Sequence, residues 1–367
     1  MNNAKLSPTD PNYRVFNFGA GPATLPEEVL KIAQAELLNY AGTGMSIMEL
    51  SHRGKEVVAM FEETETLLRE LMTIPDNYKI ILAPGGATQQ FDAIPLNLYN
   101  KGKADYLVTG VWSEKAAAAA KKYIQVNEVG NSSDRGFTYV PPFNVSGPDI
   151  DYYHYTANNT IYGTAINNLP DIHAPIVADM TSCILAHDYN VAKFGVIYAG
   201  VQKQIGIAGL GIVIVRDDLL GKAKEETPIM HNWQHYVKAE NMYNTPPVFA
   251  VYITNLFLHW IKSNGGIATL EANNIKKAKL LYDAIDASPM YKGYVDKDHR
   301  SIMNVTYSCG TPELDKKFAA EAEAAGLAAL KGYRSVGGIR ASIYNAMPLE
   351  GVETLVAFMK DFEQKNS

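Results

Sequence analysis

A pair of closely spaced strand-like runs limits the folds open to this chain. The first, Phe194-Gly195-Val196-Ile197-Tyr198-Ala199-Gly200-Val201-Gln202-Lys203-Gln204-Ile205-Gly206, is apolar and β-branched, delivers one amine at Lys203 and stops at glycine. The second, Leu210-Gly211-Ile212-Val213-Ile214-Val215, starts a few residues later. Continuous runs of this kind read as strands buried on both faces. Upstream, strand-like segments at 79–84, 106–109, 161–166 and 175–179 alternate with helical patterns. These begin at Pro26 and run to about residue 40, then cover about 54–72, 87–98 and 113–122. Strands alternating with helices predict an α/β chain with a mostly parallel sheet covered on both faces. Beyond Gly265-Gly266 the texture changes to a long polar helix (267–287), a strand (303–308), a helix opened by Thr311-Pro312 and a last helix from Glu350. The expected organisation is an N-terminal segment over 1–25 that joins a small domain, a large domain over 26–265 and a small α+β domain over 266–367.

The net charge of −6 argues against a nucleic-acid or membrane surface. The two cysteines, Cys183 and Cys309, have neither metal-site nor CxxC spacing, so neither a disulfide framework nor a metal is expected, and a reducing cytoplasm fits. No stretch reaches the roughly 18 apolar residues of a membrane span. There is no P-loop and no complete GxGxxG after a strand.

Four constellations carry chemistry. A lysine held between buried strands is pushed toward its neutral, nucleophilic form, which is the state a Schiff-base lysine needs; the alternative is a strand-end lysine with its ammonium in water. Gly85-Gly86-Ala87-Thr88 joins a strand to a helix, where backbone N–H groups can meet an anion, although most such turns are only turns. Asp179 ends an apolar strand at the sheet edge where α/β ligands bind, or else caps the following segment. Arg53 in Ser51-His52-Arg53-Gly54, and Arg334 and Arg340 in Tyr333-Arg334-Ser335-Val336-Gly337-Gly338-Ile339-Arg340, sit in glycine-containing loops, suited to carboxylate or phosphate recognition if they are not merely solvated. Trp112, just past a strand, either stacks on a planar ring or fills the core.

With these pieces in place, the chain resembles the phosphoserine aminotransferases, class-V, fold-type-I enzymes dependent on pyridoxal phosphate. The resemblance runs from Asn17-Phe18-Gly19-Ala20-Gly21-Pro22-Ala23 through Ser51-His52-Arg53-Gly54-Lys55, Ile197-Tyr198-Ala199-Gly200-Val201-Gln202-Lys203 and Met242-Tyr243-Asn244-Thr245-Pro246-Pro247. It continues to the arginine loop and Ala341-Ser342-Ile343-Tyr344-Asn345-Ala346. It implies a large domain with a mixed, mostly parallel sheet and a smaller α+β C-terminal domain. Lys203 would hold the cofactor covalently and then shuttle the proton. Asp179 would pair with the pyridine nitrogen, and Trp112 would stack on the ring. Ala87, Thr88 and Gln202 would surround the phosphate, with Thr160 at the ring hydroxyl. Asn244 and Thr245 would reach the cofactor phosphate of the other subunit of a homodimer. Substrate phosphate would fall to His52, Arg53 and Arg334, and the α-carboxylate to Arg340. The implied reaction exchanges an amino group between L-glutamate and 3-phosphohydroxypyruvate, giving phosphoserine and 2-oxoglutarate in serine biosynthesis, with pyridoxine biosynthesis as a further use. Many members carry histidine where this chain has Tyr333, and some have Gly-Arg in place of Ala87-Thr88. Three other readings remain at this stage: an alanine–glyoxylate type aminotransferase, a cysteine desulfurase, and a non-catalytic pyridoxal-phosphate-binding protein.

Overall fold

The computed structural model describes residues 9–10, 13–169 and 172–366; residues 1–8 and 11–12 of the expected N-terminal segment, and the last residue of the chain, lie outside the described residues. The large sheet has seven strands: β2 (Tyr78–Pro84), β3 (Lys103–Val108), β4 (Gln125–Asn131), β5 (Tyr152–Thr156), β6 (Ile176–Asp179), β7 (Val196–Gly200) and β8 (Leu210–Arg216). A short β1 (Phe16–Asn17) precedes them. The order in the sheet is β2-β8-β7-β6-β5-β3-β4, and only β8 runs antiparallel to its neighbours. Its reversal follows from the short connection, because a parallel return from β7 would need a crossover of a dozen or more residues.

Alternation along β2 and β8 divides the core between the two faces. Ile80, Leu82, Ile212 and Ile214 pack with residues of α2 (Lys55–Met72) and α6 (Val248–Ser263), which follows α1 (Glu27–Glu36). Ile81, Ala83, Val213 and Val215 pack with α3 (Ala87–Asn97), α4 (Val111–Ala120) and α5 (Trp233–Lys238). The alanine run of α4 lies on this face with Ala116, Ala117 and Ala120 buried, because a methyl side chain lets the helix come close to the strands.

The C-terminal part has its own core around Val305, Ile339, Phe318, Leu355 and Met359. It is built from α7 (Gly266–Ala287), α8 (Pro312–Ala324) and α9 (Leu349–Asn366) on an antiparallel sheet of β9 (Lys292–Gly293), β10 (Asn304–Ser308) and β12 (Ile339–Ser342). Thr311 caps α8 by accepting from Leu314 N–H, with Pro312 in the first turn. Phe16 and Asn17 pair in parallel with β11 (Leu327–Ala328), and Phe18 enters this second core.

Two expectations need correction. Residues 161–166 form no strand. Gly163 N–H donates to Asn159 O and Asn159 N–H to Thr164 O, each at 2.8 Å, with Gly163 at φ 88°. That positive φ closes a turn, and the sheet position goes instead to Tyr152–Thr156, whose His154 and tyrosines disguise a fully buried strand. The first helix ends at Glu36 rather than near residue 40, where a short 3-10 turn takes over. β4 was not anticipated, because its polar residues stand at an open edge of the sheet.

Candidate active site

The C-terminal ends of β6 and β7 and the turns after β2 and β3 converge on a cavity of about 430 Å³. Lys203 lies in the turn after β7. Its stem is enclosed, and the surface it keeps lines the cavity. Its Nζ donates to Thr160 Oγ1 at 2.6 Å and sits 5.4 Å from the centre of the Trp112 ring. Burial pulls the Lys203 pKa down to about 8; the Asp179 carboxylate opposes the shift and the Arg340 guanidinium adds to it. On the order of a tenth of the amine is therefore neutral at pH 7, far more than for an ordinary lysine, and it is the neutral form that acts as nucleophile. Gly21 is packed against this side chain: at φ 136°, a Cβ there would stand 3.1 Å from Lys203 Cγ.

Asp179 ends β6 with its side chain buried. Burial pushes its carboxyl pKa up, while hydrogen bonds from Thr181 and the nearby Lys203 and Tyr198 pull it back. Oδ1 accepts from Thr181 N–H at 2.9 Å. Thr181 is tied to the end of β7, because its Oγ1 accepts from Gly200 N–H at 3.2 Å.

Gly85 and Gly86 both have positive φ, and α3 begins at Ala87 with no side chain capping it. Its first N–H groups therefore remain available to an anion in the cavity that Ala87 and Thr88 line. Gly211 makes the approach possible, since a Cβ there would stand 3.1 Å from the Gly86 backbone. Trp112, in the first turn of α4, completes one wall with a buried indole N–H that has no partner in the structure. An uncapped helix end, a buried carboxylate, a depressed lysine and an indole face suit a group that bears a phosphate, a basic ring nitrogen and a carbonyl. Pyridoxal phosphate has all three.

Ala87, Thr88, Trp112, Thr160, Asp179, Gln202, Lys203 and Arg340 thus line one cavity. Arg340 Nη1 donates to Thr160 O at 3.4 Å, and its guanidinium lies 5.9 Å from the Tyr333 ring centre. Tyr333 lines the cavity as well, whereas Arg334 is exposed and does not. The turn closed by Val336 and Gly337 N–H on Tyr333 O separates the two neighbours. His52 and Thr245 line a second, shallower groove that shares Ala208 with the cavity rim, and Arg53 is exposed nearby in sequence. Asn244 donates to Thr245 O at 3.1 Å, while its own side-chain oxygen is buried and unpartnered in the structure. His52, Arg53, Asn244, Thr245 and Arg334 of this chain therefore stay out of its cavity. Sequence reasoning missed Thr181, Ser182, Asn158 and Phe91 as lining residues. Thr181 and Ser182 follow Asp179 directly, and a polar pair just past a buried acid was the available signal.

Fold and site define an aminotransferase of class V, and the chain belongs to that family, whose model matches residues 15–355. Within it the chain belongs with the phosphoserine aminotransferases. It is 52% identical to that of Listeria monocytogenes over 351 residues, 95% of this chain and 96% of the relative. The structure of the enzyme from Bacillus circulans subsp. alkalophilus superposes with a TM-score of 0.94 at 42% identity, covering 96% of this chain and 99% of that one. A pyridoxal-phosphate-bound phosphoserine aminotransferase from Trichomonas vaginalis matches with a TM-score of 0.91 at 40% identity, over 95% of this chain and 100% of that one.

Proposed function

We propose that the cavity around Lys203 binds pyridoxal phosphate and is where an amino group passes between L-glutamate and 3-phosphohydroxypyruvate, giving O-phospho-L-serine and 2-oxoglutarate. The observation that carries the assignment is one cavity lined by the Lys203 amine, Asp179, Trp112 and the open end of α3. When bound, the cofactor supplies a carbonyl that condenses with amines and a ring that accepts the electron pair left at Cα. With the cofactor in place, the Lys203 amine would anchor it and, when free, would serve as the base that takes the proton from substrate Cα and the acid that gives it back. Thr160, its hydrogen-bond partner, keeps that amine directed into the cavity. The Asp179 carboxylate would hold a proton on the pyridine nitrogen. Trp112 would cover the ring, and the first turn of α3, with Thr88, Ala87 and nearby Gln202, would receive the phosphate. Arg340, half-buried beside Lys203, binds the α-carboxylate, where a forked guanidinium matches two oxygens.

Both substrates pair the α-carboxylate with a second anion, phosphate or γ-carboxylate, and among the described residues Arg340 is the only arginine that lines the cavity. We assign the second anion to His52, Arg53 and Arg334, brought by the symmetry of a homodimer in which Asn244 and Thr245 also reach the partner's cofactor phosphate. Exposed apolar side chains, Met48 on the groove together with Leu37, Leu38, Met45 and Tyr243, supply a surface for such pairing. We read the chain as an N-terminal segment over 1–25, a large domain over 26–265 and a small domain over 266–367, and place it in the cytoplasm, where the two free thiols suit a reducing medium.

Incubation with glutamate and 3-phosphohydroxypyruvate is expected to form phosphoserine, with a neutral amino acid such as alanine a poor donor. No phosphoserine, or equal use of alanine, would refute the assignment. 4-Phosphohydroxythreonine as product of the matching keto acid tests the role in pyridoxine biosynthesis. The shared site makes a separate prediction. Lys203→Ala and Arg53→Ala proteins, each nearly inactive, should recover about a quarter of native activity after subunit exchange, the statistical share of intact sites in mixed dimers. Recovery would be absent if each subunit carried a complete site.

A further inference from the structure

We infer that Tyr198 and His154 are positioning residues that hold Asp179 as the carboxylate through a hydrogen-bonded line under the cavity floor. This rests on the reading of Asp179 as the partner of the cofactor's ring nitrogen. Tyr198 stands opposite Asp179 in the β6–β7 register, and His154 stands opposite Val177 on the other side of β6. Residues two apart on a strand share a face, so all three side chains leave the sheet on the side covered by α3 and α4. His154 Nε2 lies 2.8 Å from the Tyr198 hydroxyl, and the β6–β7 register sets the Tyr198 side chain on the same face as the Asp179 carboxylate, near enough to act on its charge.

The surroundings fix the geometry. His154 stacks on Tyr106 with ring centres 4.6 Å apart and planes 22° from parallel, while Phe91 meets Tyr198 edge-on at 6.3 Å. Tyr106 is engaged elsewhere, through a 2.7 Å hydrogen bond with the Tyr152 hydroxyl. His154, Tyr198, Tyr106 and Tyr152 are all buried.

The direction of the line follows from proton counting. A carboxylate only accepts, so in the inferred line Tyr198 gives its single proton to Asp179, and its oxygen then accepts from His154 Nε2–H. That tautomer leaves Nδ1 as a bare lone pair, and Nδ1 is the atom with no partner in the structure. The other tautomer would bury an unpaired N–H, the costlier arrangement. Burial holds the imidazole neutral, with its pKa pushed down to about 3, so the line keeps the same charge across neutral pH. Hydrogen bonds to a carboxylate favour its charged form. Here they oppose the burial that pushes Asp179 up, together with Thr181 and Lys203. The other ionisable groups acting on this site are Cys183, itself pushed up to about 12 by burial, and Arg340 beyond Lys203.

The test is the dissociation constant of pyridoxal phosphate from the full-length protein by equilibrium dialysis between pH 6 and 8. Comparing variant with native at each pH cancels the titration of Lys203. Tyr198→Phe, which deletes one atom, should weaken binding roughly tenfold at the acid end and progressively less toward pH 8, as Asp179 protonates at a higher pH. His154→Phe should follow it, and His154→Gln, which can offer an N–H in place of Nε2, should recover part of the loss. Native affinity in Tyr198→Phe, or a loss equal at every pH, would overturn the inference. Asp179→Asn separates the two levels. If it leaves affinity unchanged, the role of Asp179 fails; if it weakens binding while Tyr198→Phe does not, only the line beneath it fails.

Discussion

Lys203→Ala is expected to bind pyridoxal phosphate without a covalent link and to lose turnover by on the order of 10²- to 10⁴-fold from removal of the proton shuttle alone. After reduction with borohydride, which converts a lysine Schiff base to a stable secondary amine, the native protein should keep the cofactor through denaturation, and the variant should release it. The pH dependence has a definite sign. Burial lowers the amine from an ordinary 10.5 to about 8, and the neutral form is the nucleophile. Covalent uptake of the cofactor by the cofactor-free protein should therefore speed up as pH rises toward about 8 and level off above it. Stability follows by linkage. The folded pKa lies below the unfolded one, so the penalty for burying the ammonium is fully present below about pH 8 and is relieved as pH rises toward 10.5. An amine that titrates near its ordinary value, or a variant with turnover within a few-fold of native, would show that another group performs these steps.

Asp179→Asn is expected to lower kcat/KM roughly 10²- to 10³-fold, the range for removing one charge of a buried, hydrogen-bonded pair. Asparagine keeps an acceptor for Thr181 N–H, the 2.9 Å bond made by Oδ1, so the fold should tolerate the change. What is lost is the negative charge that stabilises a protonated ring nitrogen. A cofactor analogue with a permanent positive charge at that nitrogen, N-methylated pyridoxal phosphate, should restore part of the activity if it is admitted. Steady-state kinetics with glutamate check the loss, and activity within about threefold of native would show that the carboxylate is not needed for the chemistry.

The parts open to local reading were those with a short-range signature. Lys203 interrupts an apolar run, Asp179 ends one, and the Gly85-Gly86 turn joins a strand to a helix; each gave its position away through pattern and turn chemistry. The boundaries of α2, α7 and α8 were close for the same reason, because an apolar periodicity, a glycine break and a Thr-Pro cap act within a few residues. Pattern failed at 161–166, where Gly163 turns an apparently strand-like segment back on itself, and at Tyr152–Thr156, where polar-looking residues are wholly buried.

Lys203 and the alternation of strands and helices could be read from the order of residues. The convergence of Asp179, Thr160, Trp112 and Arg340 on its amine could not, because strand register and packing bring together residues far apart in the chain. The same holds for His154 and Tyr198, which meet across β6 over a separation of 44 residues. It holds also for the split between Tyr333 in the cavity and Arg334 outside it, since one turn sends adjacent side chains to opposite sides. Local sequence sets backbone preference and polarity over a few residues. Which polar groups share a cavity is set by long-range pairing, where burial, rather than residue type, decides the charge each one carries.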